Sequence, residues 1–186
     1  GEDEEAVLSV NGSIEYYYLR ENNNWNINEE ILNYITEDTD IVFICNPNNP
    51  TGNFLTEAEL DAFLAKVPEN VIVVLDEAYT EFTHPSERVN SFALLEKYPN
   101  LIVSRSLSKA YGLAGLRIGY AVSNPEIADL LNRVRQPFNC NSLALTSAIA
   151  VMNDDAFVEK VAENNRQEMK RYEAFCQQYG LDFIPS

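Results

Sequence analysis

Five short apolar runs punctuate the chain, at 14–19, 41–45, 71–75, 101–104 and 118–122. Most are continuous rather than alternating, the pattern of strands covered on both faces. Helical periodicity fills the intervals. Segment 28–35 carries Ile31, Leu32 and Ile35, and segment 56–66 places Leu60, Phe63 and Leu64 on one face. Thr56 and Glu59 open the latter at the spacing of a capping box, in which each side chain satisfies the other residue's backbone N–H. Beyond 122 only helices are predicted: 125–135, 142–152 and a long run over 154–179. Phe157, Val158, Val161, Met169, Tyr172 and Phe175 supply the apolar positions of that run. Gly180 is its natural stop, because glycine readily takes the left-handed conformation that ends a helix. Residues 181–184 read as the start of another strand.

Alternating strand and helix predict an α/β fold, a largely parallel sheet flanked by helices. Three segments follow: an acidic N-terminal end or junction at 1–13, an α/β domain at 14–153, and a long connecting helix with the start of a further domain at 154–186. A chain of 186 residues suffices for one such domain with its own core. Its 46% hydrophobic and 23% charged residues place it among soluble globular proteins. A net charge of −16 argues against nucleic acid or an anionic membrane as partner. No apolar run reaches the length of a membrane span, and the acidic N-terminus lacks the basic and apolar parts of a secretory signal. Asn11-Gly12-Ser13 matches a glycosylation acceptor, but without such a signal it reads as a turn. Three scattered cysteines and a single histidine suggest reduced thiols in a cytoplasm, and no metal site.

Ligands of an open parallel sheet bind beyond the carboxyl ends of its strands. The second run ends in Cys45-Asn-Pro-Asn-Asn-Pro-Thr-Gly52, the third in Asp76-Glu-Ala-Tyr79, the fourth in Ser104-Arg-Ser-Leu-Ser-Lys109. Each has an ordinary reading by itself. The first is made of favoured turn formers, Asp76 suits a helix cap, Tyr79 suits a core, and most lysines are surface residues. Together they bring polar groups to one edge on three successive strands. Small hydroxyls with Lys109 and the Arg117 guanidinium suit something anionic, a turn leading into a helix would add backbone donors, and Gly112, Gly115 and Gly119 would let the backbone turn tightly behind them.

The strings NPNNPTG, DEAYTEF, SLSKAYGLAGLRIGY and RQPFNCNSLA occur in this order. They resemble the histidinol-phosphate aminotransferase family of fold-type I pyridoxal-phosphate enzymes, from about residue 14 to the end of the chain. The resemblance implies pyridoxal 5′-phosphate as cofactor. Lys109 would be its covalent anchor and the proton carrier, Asp76 the partner of the ring nitrogen, and Tyr79 and Asn49 donors to the ring's 3′ oxygen. Ser106, Ser108 and Arg117 would hold the phosphate. Lys109, Asp76 and Tyr79 are the catalytic set.

The implied reaction moves an amino group between L-histidinol phosphate and 2-oxoglutarate, in histidine biosynthesis, by a cytoplasmic homodimer with residues 138–141 near the subunit boundary. Threonine-phosphate decarboxylases and other class I and II aminotransferases share the lysine, aspartate and tyrosine, so they stand as alternatives. A non-catalytic pyridoxal-phosphate-binding fragment is another. A nucleotide site is disfavoured, since neither GxGxxG nor a P-loop occurs. Family members are longer, so 14–153 corresponds to part of the cofactor domain and 154–186 to the helix entering a small domain. The first strand, the glycine turn that completes the phosphate site, the aromatic stacked on the ring and the arginine that clamps the substrate carboxylate are expected to be missing. Alone, this chain is expected to be weakly active or inactive.

Overall fold

The computed structural model describes residues 2–185. It divides into two compact units, one up to Asp38 and one from Thr39 onward. In the second, β1 (Ile41–Cys45), β2 (Ile72–Asp76) and β3 (Leu101–Ser106) run parallel, and β4 (Gly119–Ser123) returns antiparallel beside β3. The order is β1-β2-β3-β4. Cys45, Asp76 and Ser104 are partners in register, so β1 and β2 end level at one edge of the sheet and β3 continues past them to Ser106. Every apolar run from 41 onward is thus a strand, and the sheet is largely parallel as expected.

The helices are α1 (Glu2–Ser9), α2 (Glu57–Leu64), α3 (Ser91–Lys97), α4 (Pro125–Val134), α5 (Ser142–Val151) and α6 (Asp155–Tyr179). The capping box forms at α2: Thr56 N–H donates to the Glu59 carboxylate at 2.8 Å, and Glu59 N–H to the Thr56 hydroxyl at 3.3 Å. Helix α6 runs unbroken to Gly180, which sits at φ +63°. Past it, Leu181 N–H reaches back to the Cys176 carbonyl at 2.9 Å, closing the last turn.

The core gathers Ile44 of β1, Val73 and Leu75 of β2, and Leu101 and Val103 of β3, with Leu60 and Leu64 of α2 and Leu94 of α3. A smaller cluster joins Leu107 and Ile118 to Ala144 and Ala148 of α5. In β3, Leu101, Ile102 and Val103 are all buried, as a strand covered on both faces requires. β1 departs from that expectation, because Ile41 and Phe43 are about half exposed while Ile44 is buried.

Run 14–19 is not a strand. It has no ladder partner among the described residues, and its tyrosines tie it within the first unit. Tyr16 OH donates to the Glu4 carboxylate at 2.5 Å and Tyr17 OH to Asn28 Oδ1 at 2.7 Å. The Tyr17 ring also meets Tyr34 edge-on at 5.5 Å. The segment after Asn28 tightens to a 3₁₀ helix, Glu29–Tyr34, its start capped by Asn28 Oδ1. The acidic start, read as an end or junction, forms α1, and α3 was not expected from the apolar pattern. Residues 181–184 form no strand, since no neighbouring strand pairs with them among the described residues. No helix of the described residues is long and apolar enough to cross a membrane.

Candidate active site

The loop after β1 is held by the buried amide of Asn46. Its Nδ2 donates to the Leu55 carbonyl at 3.1 Å, its Oδ1 accepts from Leu55 N–H at 2.6 Å, and its N–H donates to the Asp76 carbonyl at 2.8 Å. Inside that clasp Asn48 Nδ2 donates to the Thr51 hydroxyl at 2.8 Å, and Gly52 turns at φ +74°. The loop is therefore pinned to the tip of β2, and Asn49 projects from it.

Asn49 Nδ2 donates to the Tyr79 hydroxyl at 3.1 Å. Tyr79 follows β2 directly, where the chain folds into the short 3₁₀ turn Thr80–Phe82. Arg88 braces that turn, donating to the carbonyls of Thr83 at 3.0 Å and Glu81 at 2.7 Å. Lys109 lies just past β3, its Nζ 5.4 Å from the centroid of the Tyr79 ring, within cation–π range. Asp76 ends β2, and its Oδ1 accepts from Ala78 N–H at 2.9 Å, which turns the chain away from the sheet. Asn49, Tyr79 and Lys109 thus converge, and Asp76 ends its strand at the same edge.

Ser106 ends β3, its hydroxyl accepting from Ser108 N–H at 3.1 Å. Leu107 N–H donates to the Ile118 carbonyl at 3.2 Å and Leu113 N–H to the Leu107 carbonyl at 2.9 Å. These bonds close the loop between β3 and β4 at its base. No helix follows Lys109, contrary to the expectation of a turn entering one. The chain makes turns, then the 3₁₀ helix Ala114–Leu116, because β4 must come straight back beside β3. Gly112 takes φ +72°, the conformation for which glycine is suited. Arg117 takes the left-handed region at φ +53°, uncommon for a side-chain-bearing residue and frequent where a site is built. Its guanidinium is exposed and makes one long hydrogen bond, 3.5 Å to the Ala114 carbonyl.

Behind this edge lies a buried charged group that the sequence reading passed over. Arg105 Nε and Nη2 contact a single Glu77 oxygen, Oε2, at 2.9 and 2.8 Å, and Ser91 Oγ donates to the same oxygen at 2.9 Å. Glu77 is 1% exposed and Ser91 fully buried. Burial pushes the Glu77 carboxyl up, against the pull of the Arg105 charge and the Ser91 and Arg105 hydrogen bonds. Close by, burial also raises Glu81, whose Oε2 has no hydrogen-bond partner. The available signal was strand alternation: Arg105 stands between Ser104 and Ser106 and faces the opposite side of the sheet from them.

The family model for aminotransferase class I and II matches residues 6–186. Histidinol-phosphate aminotransferase 2 of Haemophilus influenzae (strain 86-028NP) is 77% identical over 155 residues, 83% of this chain and 42% of that protein. The chain therefore spans about two fifths of that relative's length. Among solved structures, histidinol-phosphate aminotransferase from Sinorhizobium meliloti, in complex with pyridoxal-5′-phosphate, matches with a TM-score of 0.73 at 32% identity. That match covers 80% of this chain and 41% of the other. L-threonine-O-3-phosphate decarboxylase from Porphyromonas gingivalis matches at 0.76 and 28% identity, covering 94% and 50%.

Proposed function

Because this chain belongs to the class I and II aminotransferases, we propose that the whole protein moves an amino group between L-histidinol phosphate and 2-oxoglutarate on pyridoxal 5′-phosphate. The observation that carries this reading is the meeting of Asn49 and Lys109 at Tyr79, on the edge where Asp76 ends β2. The 77% identity to a histidinol-phosphate aminotransferase supports the choice of substrate.

The donor set fits the cofactor group by group. An amine (Lys109) suits its aldehyde, a carboxylate (Asp76) its ring nitrogen, and two donors (Tyr79 and Asn49) its 3′ oxygen. Two hydroxyls with a guanidinium (Ser106, Ser108 and Arg117) suit its phosphate. When bound, the cofactor supplies an electron sink for negative charge at the substrate Cα. Lys109 Nζ would anchor it, and would take and return the proton at that carbon. Asp76 would keep the ring nitrogen protonated, an ionic partnership that offsets the cost of burying either charge. Tyr79 and Asn49 would donate to its 3′ oxygen. Arg117, held in the left-handed conformation, would offer its guanidinium to the phosphate.

Residues 14–153 then act as part of the cofactor domain, and α6 leads toward a small domain. The protein works as a cytoplasmic homodimer with residues 138–141 near the subunit boundary. An amine-donor panel on the whole protein tests the proposal. Glutamate formed from 2-oxoglutarate with histidinol phosphate supports it. The decarboxylase matches the fold as well as the aminotransferase does, so threonine phosphate belongs in the panel. Its decarboxylation, without glutamate from histidinol phosphate, would replace the assignment. A protein that holds the cofactor on Lys109 but turns over no donor would be a binding protein instead.

A further inference from the structure

We infer that the buried group of Glu77, Arg105 and Ser91 is a positioning device, which sets the spacing of the β2 and β3 tips to the length of a rigid bound cofactor. The inference rests on the cofactor reading above. Asp76 and Ser104 are register partners, and Ser106 follows two residues on, so all three share one face of the sheet. Arg105 falls between the two serines and turns to the other face, where it meets Glu77, the residue next to Asp76. The group thus bridges the strand that ends in Asp76 to the strand that leads to Ser106 and Lys109. Glu77 N–H adds a backbone bond to the Ser104 carbonyl at 2.9 Å.

Two further contacts fix the arginine. Ser91, the first residue of α3, accepts from Arg105 Nη2 at 3.2 Å, and the Phe92 ring lies 5.3 Å from the guanidinium carbon. A guanidinium tied at three points and stacked on a ring has little freedom left. The span it fixes matters because the two ends of the proposed ligand have separate receptors. The ring nitrogen belongs to Asp76 on β2, and the aldehyde and phosphate belong to Lys109 and Ser106 beyond β3. A rigid ligand tolerates little error in that span.

A purely stabilising ion pair would be replaceable. Apolar side chains of similar volume often substitute for buried ion pairs without loss of stability. The deciding variant is therefore the triple change Glu77→Met, Ser91→Ala and Arg105→Met, which leaves no orphaned partner within the group. Arg105→Lys, which keeps the charge and loses the fork, serves beside it and decides alone if the triple variant does not fold. Each is made in the whole protein and compared for cofactor-free melting temperature, pyridoxal-phosphate affinity, and the pH dependence of the bound cofactor's visible absorbance.

The expected result is a retained melting temperature, cofactor affinity lowered about tenfold or more, and a displaced pH profile. Folded variants with unchanged affinity and an unchanged profile would overturn the inference. Lys109→Ala separates the two readings. If it removes the visible band of the bound cofactor, the site reading stands and the variants judge the device alone. If it leaves cofactor absorbance and affinity as they were, the site reading falls, and the inference with it.

Discussion

A Cβ placed on Gly119 would lie 2.6 Å from the carbonyl oxygen of Arg105 and 3.5 Å from Cα of Ser106. The backbones of β3 and β4 approach so closely there that no side chain fits between them. Gly119 is needed for this approach rather than for a turn. Gly119→Ala must part the two strands beside Ser106, at an expected loss of about 1–3 kcal/mol in stability together with weaker cofactor binding. Gly115 is the internal control, with nothing within 4 Å of its added Cβ. Denaturant unfolding of Gly119→Ala and Gly115→Ala side by side checks the pair, and an equal, negligible effect would refute it.

Glu81 predicts how stability responds to pH. Burial raises its carboxyl above the ordinary 4.5, with Glu77 pushing the same way and its own backbone N–H, Arg105 and Arg88 opposing. A carboxyl whose folded pKa is raised favours folding below 4.5, and that contribution is lost as pH rises through the folded value. Glu81→Gln should therefore be more stable than the unaltered protein near neutral pH, by about 1 kcal/mol. The difference should close in acid. Thermal melts across pH read the sign directly, and a variant less stable at neutral pH would contradict it.

Thr56 caps α2 through both halves of its box. Thr56→Ala removes the hydroxyl that satisfies Glu59 N–H, for an expected loss of about 1 kcal/mol. The hydroxyl removed bonds to Glu59 rather than to a site residue, so cofactor affinity should stay as it was. Comparing the melting temperature with a cofactor titration separates the two effects.

At the site itself, three substitutions should differ in kind. Lys109→Ala should abolish both the visible band of the bound cofactor and turnover, because no other amine stands at that position. Asp76→Ala should keep some cofactor yet slow proton removal greatly, since an unprotonated ring is a poor electron sink. Tyr79→Phe deletes the acceptor of the Asn49 bond and should cost about 0.5–1.5 kcal/mol in cofactor binding. Single-turnover kinetics with an equilibrium cofactor titration distinguishes these outcomes. Turnover by Lys109→Ala would sink the assignment of its amine.

The parallel strands were legible because each is an apolar run that ends in polar residues, and strand ends locate a site in this architecture. Direction was not legible. An apolar run at 118–122 looks the same whether its strand runs with β3 or against it, so the hairpin-like return, and with it the lack of a helix after Lys109, emerges only from pairing. Run 14–19 misled because Tyr16 and Tyr17 combine strand-like bulk with hydroxyls, and those hydroxyls find Glu4 and Asn28 rather than a neighbouring strand. Arg105 was hidden by its neighbours. Between two serines it reads as more of the anion-holding stretch, and only alternation along β3 sends it to Glu77.

The closed base of the loop between β3 and β4 also divides its amides by how they exchange with solvent. Leu107 and Leu113 donate to carbonyls within the loop, and Gly112 donates to Lys109. The Leu107 and Leu113 hydrogens should be released only when the base opens, an opening expected to loosen Lys109 and Arg117 as well. The exposed crown around Ala114 and Gly115 can exchange while the base stays shut. One loop thus holds two clocks, a fast one at the crown and a slow one that times the loosening of the amine and the guanidinium together.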